Sequence, residues 1–435
     1  MKRLALHWQI LIAILLAGLA GWTVNYAGDG DASAPSVLGV SFLSIFKYIG
    51  ALFLNALKMI IVPLILSSII VGMAGIGSSG NLGALGGRTL MFYVTTTIAA
   101  ILVGLALINI IGPGYVDGEP AGDMLALEAP TDEIAARVEG RGAGDVADLF
   151  LRMIPENVVM AAARGEMLAI IFFALLFGYF MTRLGHDLAE PMYKFWDGVF
   201  HVMMRMTEWI MLFAPIGVFG LVAAVVAETG FSAAGPLATF AVATLAGLII
   251  HASITLPLFL KVFGGISRPY RIFPAMAPAM LTAFSTASSS ATLPITMDCV
   301  EKNAGVSNKI SSFVLPLGAT VNMNGTALYE CAAAMFLAQA YGLDLTFGMQ
   351  FTIVVIALLT SIGVAGVPAA SLVAIAIILT AIGLPVEAIG VLMVFDRVLD
   401  MVRTSVNIFG DSCAAVIIAR MDGEKTNFAP PEPAR

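Results

Sequence analysis

Residues 285–294 are Ser-Thr-Ala-Ser-Ser-Ser-Ala-Thr-Leu-Pro, a tip of small polar side chains inside the apolar stretch 272–297. The stretch is too short and too interrupted for two membrane-spanning helices, and too apolar for a surface loop. A second stretch, 346–385, has the same plan around its centre 360–368, Thr-Ser-Ile-Gly-Val-Ala-Gly-Val-Pro. Each stretch therefore predicts two apolar arms of about half a span, joined by a small-residue tip that ends in proline.

Each interrupted stretch is followed by a longer helix that carries polar residues, at 306–341 and 386–420. The order hairpin, helix, hairpin, helix is an internal repeat. Interrupted segments in matching positions of two repeats indicate a transporter binding site, because broken backbone at membrane depth is tolerated only where protein or a watery cavity satisfies it. Two helices kinked by Gly and Pro are the alternative interpretation.

The composition indicates a membrane protein of many helices. The chain has 435 residues, of which 59% are hydrophobic and 12% are charged, whereas a soluble domain carries about 25% charged residues. Short alternating strands, as in a β-barrel, are missing. The net charge of −7 without a basic tract argues against a nucleic-acid partner. Cys299, Cys331 and Cys413 form no cluster with histidines, so we expect small buried residues rather than metal ligands or disulfides.

Hydropathy predicts further spans in the first part of the chain, and they lie at 8–27, 39–76, 88–112, 166–184, 195–227 and 235–263. The first of these follows Met1-Lys2-Arg3 and has features of a signal peptide. Because more spans follow and a small-residue cleavage site is missing, we interpret it as the first transmembrane helix.

The charges predict the orientation of the chain. The stretch 114–148 holds nine acidic and two basic residues together with Gly and Pro, and we expect a long exposed loop. Lys and Arg gather elsewhere, at Lys2, Arg3, Arg88, Arg183, Lys194, Lys261, Arg268, Arg271, Arg420 and Lys425. The positive-inside rule then places both termini in the cytoplasm and the acidic loop outside. This orientation fits a multi-pass protein of the plasma membrane, here a bacterial inner membrane, with a Pro-rich disordered tail after Arg420.

The last long helix carries a polar stripe, which consists of Asp396, Asp400, Arg403, Thr404, Asn407 and Asp411. At about 100° per residue these positions share one face, and the other face is apolar. Burial of one charge at mid-membrane costs roughly 2.5–3.5 kcal/mol, so the stripe must face protein, water or a ligand. A ladder of ion pairs, with Arg403 tied to Asp396 or Asp400, is one interpretation, but it leaves Asp411 and Asn407 unexplained. Oxygens at those two positions are typical ligands of a hard cation such as Na⁺.

Arg403 is the candidate for substrate specificity. A guanidinium binds a carboxylate through two hydrogen bonds and stays charged. Asp400 lies one turn before it and could accept a substrate ammonium. Serines and backbone N–H groups at the first hairpin tip could hold a second carboxylate. This arrangement favours an acidic amino acid over a plain dicarboxylate.

A weak point is predicted inside the helix 306–341. Residues 318–326, Gly-Ala-Thr-Val-Asn-Met-Asn-Gly-Thr, combine two Asn, two Thr and two Gly, which lower helix propensity. An unwound turn there would expose carbonyl oxygens to a cation. A polar contact between helices, with small residues allowing close approach, is the alternative.

Together these motifs resemble the glutamate transporter family, the dicarboxylate/amino acid:cation symporters. The similarity covers nearly all of the chain in the family's order. The runs that carry it are Leu57–Pro63, Ser288–Pro294, Asn322–Thr326, Ala365–Pro368 and Asp400–Asn407. The resemblance implies an all-α polytopic membrane protein with eight transmembrane helices, two re-entrant helical hairpins and inverted repeats. It also implies a homotrimer in membrane lipid, in which a transport domain moves as an elevator against a fixed scaffold.

The resemblance divides the chain into scaffold and transport parts. Residues 1–84 would hold scaffold helices 1 and 2, 85–113 transport-domain helix 3, and 114–228 the extracellular loop with scaffold helices 4 and 5. Residues 229–421 would hold helix 6, hairpin 1, helix 7, hairpin 2 and helix 8 of the transport domain. Residues 422–435 would be a disordered tail.

The same resemblance implies the binding residues. The substrate would be contacted by Ser289, Ser290, Thr326, Val367, Asp400, Arg403, Thr404 and Asn407. Asp400 would hold the ammonium, and Arg403 the side-chain carboxylate. One sodium site would use Gly318, Asn322, Asn407 and Asp411. A second would use backbone oxygens of Thr320, Ser361, Ile362 and Val364. A third would use Tyr93, Thr96, Thr97, Asn322 and Asn324.

The chain departs from the family pattern at several positions. The family motif has Asp where this chain has Asn324, which keeps an oxygen ligand but loses the charge of the third sodium site. The family's arginine, beside the serine run or beside the ammonium-binding aspartate, is replaced by Ala287 and Met401, and Arg397 is a candidate substitute. Glu330 stands where archaeal members often have glutamine, and it resembles the proton carrier of animal glutamate carriers, because burial favours a neutral carboxyl.

The sequence therefore predicts a secondary active symporter, not an enzyme, that imports aspartate or glutamate with Na⁺ or, on the alternative hypothesis, with H⁺. No cofactor other than the coupling ions is expected. Two other classes stay open. The run Gly77-Ser78-Ser79-Gly80 matches a rhomboid-like G-x-S-G pattern with His251 as candidate base, which would indicate an intramembrane serine protease. The serine run 288–290 could instead line the filter of an ion channel.

Overall fold

The structure is a computed structural model that describes residues 6–29, 31–37, 39–77, 83–127, 154–164, 167–230, 232–343, 345–361 and 370–428. Within these ranges the α-helices are α1 (Leu6–Ala27), α2 (Phe42–Gly77), α3 (Gly83–Ile111), α4 (Val158–Arg164), α5 (Met167–Met181), α6 (His186–Met211), α7 (Ala214–Thr229), α8 (Ala234–Ile250), α9 (Leu256–Val262), α10 (Ile272–Thr286), α11 (Ser289–Asp298), α12 (Asn308–Val321), α13 (Asn324–Ala340), α14 (Phe347–Ser361), α15 (Ala370–Ile382) and α16 (Ile389–Met421). The strands in the described part of the chain form two short antiparallel ladders, β1 (Ser36–Val37) with β2 (Val40–Ser41), and β3 (Tyr115–Val116) with β4 (Glu119–Pro120). The predicted helical fold class is confirmed at this level.

Several of the described helices are long and apolar enough to cross a membrane. Within the described ranges, four segments qualify by length and composition, and they are Trp8–Ala27, Leu85–Ile111, Ala234–Val262 and Val386–Met421. A fifth results if α6 and α7, which are bent by 57° at their junction, form one broken span. The spans predicted near 8–27, 88–112 and 235–263 coincide with three of these segments.

The span predicted at 195–227 is interrupted rather than one continuous helix, because α6 ends at Met211 and α7 begins at Ala214. Pro215 lies in the first turn of α7. The N–H groups of a first turn have no partner within the helix, so the missing N–H of proline costs no hydrogen bond there. Inside a continuous helix its ring would clash with the carbonyl of the residue four positions before. In α2, by contrast, Pro63 lies within a helix of 36 residues.

The helices pack in two groups. In one group α1 packs along α7, and α2 contacts α5, α6 and α7. In the other group α3 packs along α13, α14 and α15 flank α13, and α16 contacts α10, α12 and α13. α13 is buried along its whole length. The two groups meet mainly where α7 contacts α16, and α1 and α2 make smaller contacts with the second group.

The predicted break at 285–294 is a turn between two helices. α10 ends at Thr286, and Ala287 takes a left-handed conformation with φ 49°. Ser288 is extended and caps α11, since its Oγ accepts a hydrogen bond from the N–H of Ala291 at 3.3 Å. With 15 and 10 residues, α10 and α11 are each shorter than the roughly 30 Å hydrocarbon thickness.

The second interrupted stretch has two apolar arms as well. α14 ends at Ser361 and α15 begins at Ala370, and the tip 362–369 lies outside the described residues. The acidic loop is described as far as Leu127, through β3, β4 and a 3₁₀ turn. The tail is described as far as Phe428.

The predicted weak point in 318–326 separates α12 from α13. Asn322 and Met323 have ψ angles of 67° and 62°, which lie outside the helical region. The unwound turn lies where α12 and α13 contact both α3 and α16. The break therefore brings backbone and amide groups to the polar stripe of α16.

Candidate functional site

The polar stripe of α16 lies in the protein interior. Arg403 is completely buried, and Asp396, Asp400, Asn407 and Asp411 are buried as well. α12 and α13 pack against α16, so the charges face protein rather than lipid. The high cost of bare charges at this depth is reduced by the contacts that these side chains make with one another.

The guanidinium of Arg403 is held by two carboxylates and one aromatic ring. Nη1 and Nη2 donate to Oδ1 of Asp396, both at 3.2 Å, and Nη2 donates to Oδ1 of Asp400 at 3.0 Å. The ring of Tyr329 lies below it, with 3.8 Å between Cζ and the ring centroid, which is a cation–π contact. Among the described residues Arg403 Nε has no hydrogen-bond partner. The ladder interpretation is thus correct for Arg403, which pairs with both aspartates.

A second arginine completes this charge cluster. Arg397 Nη1 lies 3.3 Å from Oδ2 of Asp400, at the position where the sequence indicated a substitute for the family's arginine. A small cavity of about 20 Å³ touches Asp396, Arg397 and Asp400 on one side and residues of α1, α2 and α7 on the other. Two arginines and two aspartates give a formally neutral cluster at the junction of the two helix groups.

Asn407 joins α16 to the first turn of α13. Its Oδ1 accepts hydrogen bonds from the backbone N–H of Gly325 (2.8 Å) and Thr326 (3.3 Å), and its Nδ2 donates to Thr326 Oγ1 (3.0 Å). The side chain therefore satisfies N–H groups that a helix start leaves without partners. Glycine is required at 325, because a Cβ there would lie 2.8 Å from the carbonyl oxygen of Arg403.

Asp411 lies against the unwound turn. Its Oδ1 accepts a hydrogen bond from Asn322 Nδ2 at 2.9 Å. A Cβ at Gly318 would lie 2.5 Å from the same Oδ1 and 2.9 Å from the hydroxyl of Tyr93. The structure thus brings together Gly318, Asn322 and Asp411 of the first predicted sodium set, with Asn407 one turn earlier on α16.

The third predicted sodium set also comes together, between α3 and the unwound turn. Thr96 Oγ1 lies 3.4 Å from Oδ1 of Asn322, and Thr97 Oγ1 donates to Oδ1 of Asn324 at 3.2 Å. Tyr93 donates to the carbonyl oxygen of Val314 at 2.6 Å. These oxygens are neutral. Asn322 donates a hydrogen bond to Asp411. Through this bond the set is connected to a carboxylate.

The second predicted sodium set is described in part. Thr320 Oγ1 donates to the carbonyl of Leu317 at 3.0 Å, and Ser361 Oγ donates to that of Leu358 at 2.8 Å. The other predicted ligands, Ile362 and Val364, lie outside the described residues, as does the predicted substrate contact Val367. The serines of the protease hypothesis, Ser78 and Ser79, lie outside them too.

The first hairpin packs against the helix that carries Arg403. Ser405 Oγ donates to the carbonyl of Met280 at 2.8 Å, and Phe273 stacks on Phe409 with 4.3 Å between ring centroids. At the tip, Ser289 is buried and Ser290 is exposed, and both belong to the first turn of α11. The first turn of a helix presents N–H groups that suit a carboxylate. Thr404, beside Arg403, donates to the carbonyl of Asp400 at 2.8 Å.

Glu330 lies on α13, and its fully buried side chain faces α14. Thr360 Oγ1 donates to its Oε2 at 3.0 Å, while Oε1 has no partner among the residues that the structure describes. It follows Tyr329, whose ring contacts Arg403. An unpaired buried carboxylate is costly, so this environment suits a neutral carboxyl group.

The contacts of two residues at this centre were not predicted from the sequence. Tyr329 directly precedes Glu330, but its ring contact with Arg403 depends on how α13 packs on α16. His251 was considered as a protease base, whereas its Nε2 lies 3.3 Å from Nδ2 of Asn324. A polar residue inside the span 235–263 was the available signal.

Residues 6–421 match the model of the sodium:dicarboxylate symporter family. The chain is 33% identical to the proton/sodium-glutamate symport protein of Geobacillus stearothermophilus, over 98% of this chain and 96% of that protein. It is 33% identical to the proton/glutamate-aspartate symporter of Escherichia coli strain K12, over 97% and 93%. It is 34% identical to the neutral amino acid transporter B(0) of Bos taurus, over 96% and 81%.

Proposed function

The chain belongs to the sodium:dicarboxylate symporter family, and from this membership we propose that it imports an acidic amino acid, aspartate or glutamate, together with cations. The family is one of membrane transporters and not of enzymes, so the protease hypothesis is set aside. His251, its candidate base, is engaged with Asn324 instead. Coupling ions replace cofactors in this function.

The observation that carries the substrate proposal is the burial of Arg403 among oxygen and ring contacts. A permanently charged guanidinium at this depth needs a carboxylate partner in every state of the cycle. Asp396 and Asp400 supply that partner here. The side-chain carboxylate of an acidic substrate would replace Asp400 on the guanidinium, while Asp396 keeps its contacts with it. The one carboxylate of a neutral amino acid is its α-carboxylate, which is proposed to bind at the hairpin tip, so no group is left for this exchange.

Asp400 is the proposed partner of the substrate ammonium. It accepts hydrogen bonds from Arg403 on Oδ1 and Arg397 on Oδ2. When the substrate carboxylate draws Arg403 away, the incoming ammonium takes the vacated place on Asp400. Each charge then exchanges one partner for another, and no carboxylate or cation is left alone.

The remaining proposed substrate contacts surround this pair. Thr326, Thr404 and Asn407 lie next to Arg403 on α13 and α16, and the side chains of Asn407 and Thr326 are already bonded to each other. The α-carboxylate would be held at the first hairpin tip by Ser289 and Ser290 and the N–H groups of α11. Val367 would contribute from the second tip.

The first cation is proposed to bind at Asp411 with Gly318, Asn322 and Asn407. Asp411 supplies the negative charge, and the unwound turn supplies carbonyl oxygens, as suits Na⁺. A further cation would bind among Tyr93, Thr96, Thr97, Asn322 and Asn324. A third would bind at backbone oxygens of Thr320, Ser361, Ile362 and Val364. Asn407 links the first site to the substrate, because one side chain serves both.

A proton-coupled symporter is the second candidate. It is favoured by Glu330, whose Oε1 has no partner within the described part of the chain, and by the neutral amide of Asn324 in place of a carboxylate. Both relatives named for glutamate transport above carry "proton" in their names. A proton on Glu330 would travel with the substrate and replace the charge of one sodium ion.

The wider architecture is also proposed from the family. It consists of eight transmembrane helices and two re-entrant hairpins in each subunit of a homotrimer, with both termini in the cytoplasm of a bacterial cell. The scaffold would comprise 1–84 and 114–228, and the transport domain 85–113 and 229–421. The two packing groups of helices support this division, since α1, α2, α5, α6 and α7 contact one another and the later helices surround α16.

Uptake into proteoliposomes tests the proposal. Na⁺, H⁺ and K⁺ gradients are imposed one at a time, and radiolabelled aspartate, glutamate and alanine are offered. Concentrative uptake of the two acidic substrates that needs an inward cation gradient supports the function. Gradient-independent equilibration, or a preference for alanine, would contradict it.

A further inference from the structure

His251 sits in a π-turn between α8 and α9, and its side chain is fully buried. Its Nε2 lies 3.3 Å from Nδ2 of Asn324. An amide nitrogen can only donate, so in this amide orientation Nε2 accepts and the ring proton lies on Nδ1. Nδ1 has no partner among the described atoms, which leaves the contact with Asn324 as the polar contact that this ring makes there.

The amide of Asn324 is held from several sides. On the side of α3, Oδ1 accepts the hydroxyl hydrogen of Thr97 at 3.2 Å. On the side of α16, a Cβ at Gly410 would lie 3.0 Å from Nδ2, so the chain leaves room for the amide there. If the amide turned by 180°, its NH₂ group would face Thr97, and its oxygen would face the bare Nε2 of His251.

We infer that His251 is the positioning residue of Asn324: its Nε2 accepts the NH₂ group in the amide orientation whose oxygen faces the cation site beside Thr97, so that the buried NH₂ group is not left without a partner when the oxygen binds a cation. The inference rests on the proposed function, in which this site holds a cation. A carboxylate has two oxygens and needs no such positioning. An amide ligand does need it, because the turned form would present a donor to a cation.

The test measures sodium binding without transport. Purified full-length protein is titrated with NaCl at constant ionic strength, and the sodium concentration for half of the melting-temperature shift is recorded. His251→Leu removes the acceptor and should raise this concentration roughly three- to tenfold, the range of one hydrogen bond. His251→Gln restores an acceptor oxygen and should recover most of the loss.

The Asn324→Asp background separates orientation from packing. There the ligand has two oxygens, so His251→Leu should change the half-saturating sodium concentration less than twofold. An equal shift in both backgrounds would mean that the ring acts by packing, and the inference would be overturned.

Thr97→Val tests the site independently of His251. Weaker sodium binding in Thr97→Val together with an unchanged value in His251→Leu would overturn the role of the histidine and leave the cation site intact. No effect of Thr97→Val would overturn the site itself, and therefore this part of the proposed function.

A different observation, at the end of α9, carries a second inference. A groove of about 500 Å³ is lined by Lys261, Arg268 and Arg271 and by the exposed apolar side chains Ile254 and Leu258. No ion pair engages any of these three cations within the described ranges. Lys261 lies at the end of the candidate span Ala234–Val262, which is the level of lipid headgroups.

We propose that this groove binds the headgroup of an anionic phospholipid. Guanidinium groups match the phosphodiester oxygens in geometry and charge, and the apolar side chains of the span would contact the acyl chains. The exposed ring of Tyr270 also lines the groove and suits the membrane interface.

The probe is phosphatidylglycerol, compared with phosphatidylcholine and inorganic phosphate, on detergent-purified protein. Phosphatidylglycerol should raise the melting temperature and stay bound in native mass spectra, and Arg268→Gln/Arg271→Gln should remove both effects. The control pair Lys194→Gln/Arg205→Gln, whose cations are ion-paired on α6, should retain them. Equal stabilisation by phosphatidylcholine or by phosphate alone, or an equal loss in the control, would overturn the proposal.

Discussion

Nη2 of Arg403 lies 3.0 Å from Oδ1 of Asp400, so the proposed carboxylate-binding group and the proposed ammonium-binding group neutralise each other in this structure. The pair is buried, and Asp400 also contacts Arg397. An acidic amino acid can replace each partner at once, with its side-chain carboxylate on Arg403 and its ammonium on Asp400. A ligand with one of these groups can replace just one, and it leaves a buried charge without its counter-ion.

The first prediction concerns the ammonium. Asp400→Asn should weaken aspartate binding more than succinate binding, because succinate lacks the amine. Loss of a hydrogen bond to a charged group costs roughly 1.5–3 kcal/mol, or about ten- to a hundredfold in Kd. Competition of both ligands against radiolabelled aspartate measures the difference. Equal losses for the two ligands would mean that Asp400 acts as the structural partner of Arg403 and Arg397.

The second prediction concerns Asn407. Asn407→Ala removes the acceptor at the start of α13 and should cost about 0.5–2 kcal/mol of stability, as for other lost helix caps. Since the same side chain is proposed to contact substrate and cation, both apparent affinities should fall. Thermal unfolding with each ligand separates the effects. Ser405→Ala, which removes a hydrogen bond to Met280 on the hairpin, is the control and should leave the sodium affinity unchanged.

The third prediction concerns the space beside Asp411. Gly318→Ala would place a Cβ 2.5 Å from Oδ1 of Asp411, so the carboxylate must shift and sodium binding should weaken at least tenfold. Gly198→Ala, where nothing lies within 4 Å of the added Cβ, is the matched control. Sodium titrations of both variants make the comparison. Normal sodium binding in Gly318→Ala would mean that sodium does not bind between Gly318 and Asp411.

The fourth prediction concerns coupling. If Glu330 carries a proton, a pH gradient without sodium should drive aspartate uptake, and Glu330→Gln should abolish that uptake. Each inward charge is worth about 2.3 kcal/mol per 100 mV, so losing the proton also lowers the accumulation ratio. Thr360→Val, which removes the hydroxyl bonded to Oε2, should keep pH-driven uptake. Strict sodium dependence in the wild type, unaffected by Glu330→Gln, would assign Glu330 a structural role.

Local chemistry predicted much of the architecture. The small polar residues of 285–294 and the two asparagines of 318–326 weaken helices by themselves, and both stretches are broken where expected. The stripe on α16 followed from helical spacing. Pro215, by contrast, was a visible signal for the break between α6 and α7 that the hydropathy of 195–227 concealed.

Long-range contacts were beyond the sequence. Asp396 and Asp400 share a face with Arg403, so spacing alone allowed either pairing, and side-chain packing made both. His251 and Asn324 are 73 positions apart. Their contact depends on how α8 packs against α13, which one sequence does not reveal.

The most direct measurement for the central claim is equilibrium binding of aspartate and of a neutral amino acid to Arg403→Thr. Removing the guanidinium should weaken aspartate at least tenfold, since an unreplaced charged hydrogen bond costs roughly 1.5–3 kcal/mol or more. Serine or alanine should bind better than in the wild type, because no guanidinium remains that needs a substrate carboxylate as its partner. Aspartate affinity that stays at the wild-type value in a folded Arg403→Thr protein would contradict the assignment of Arg403 as the carboxylate-binding group.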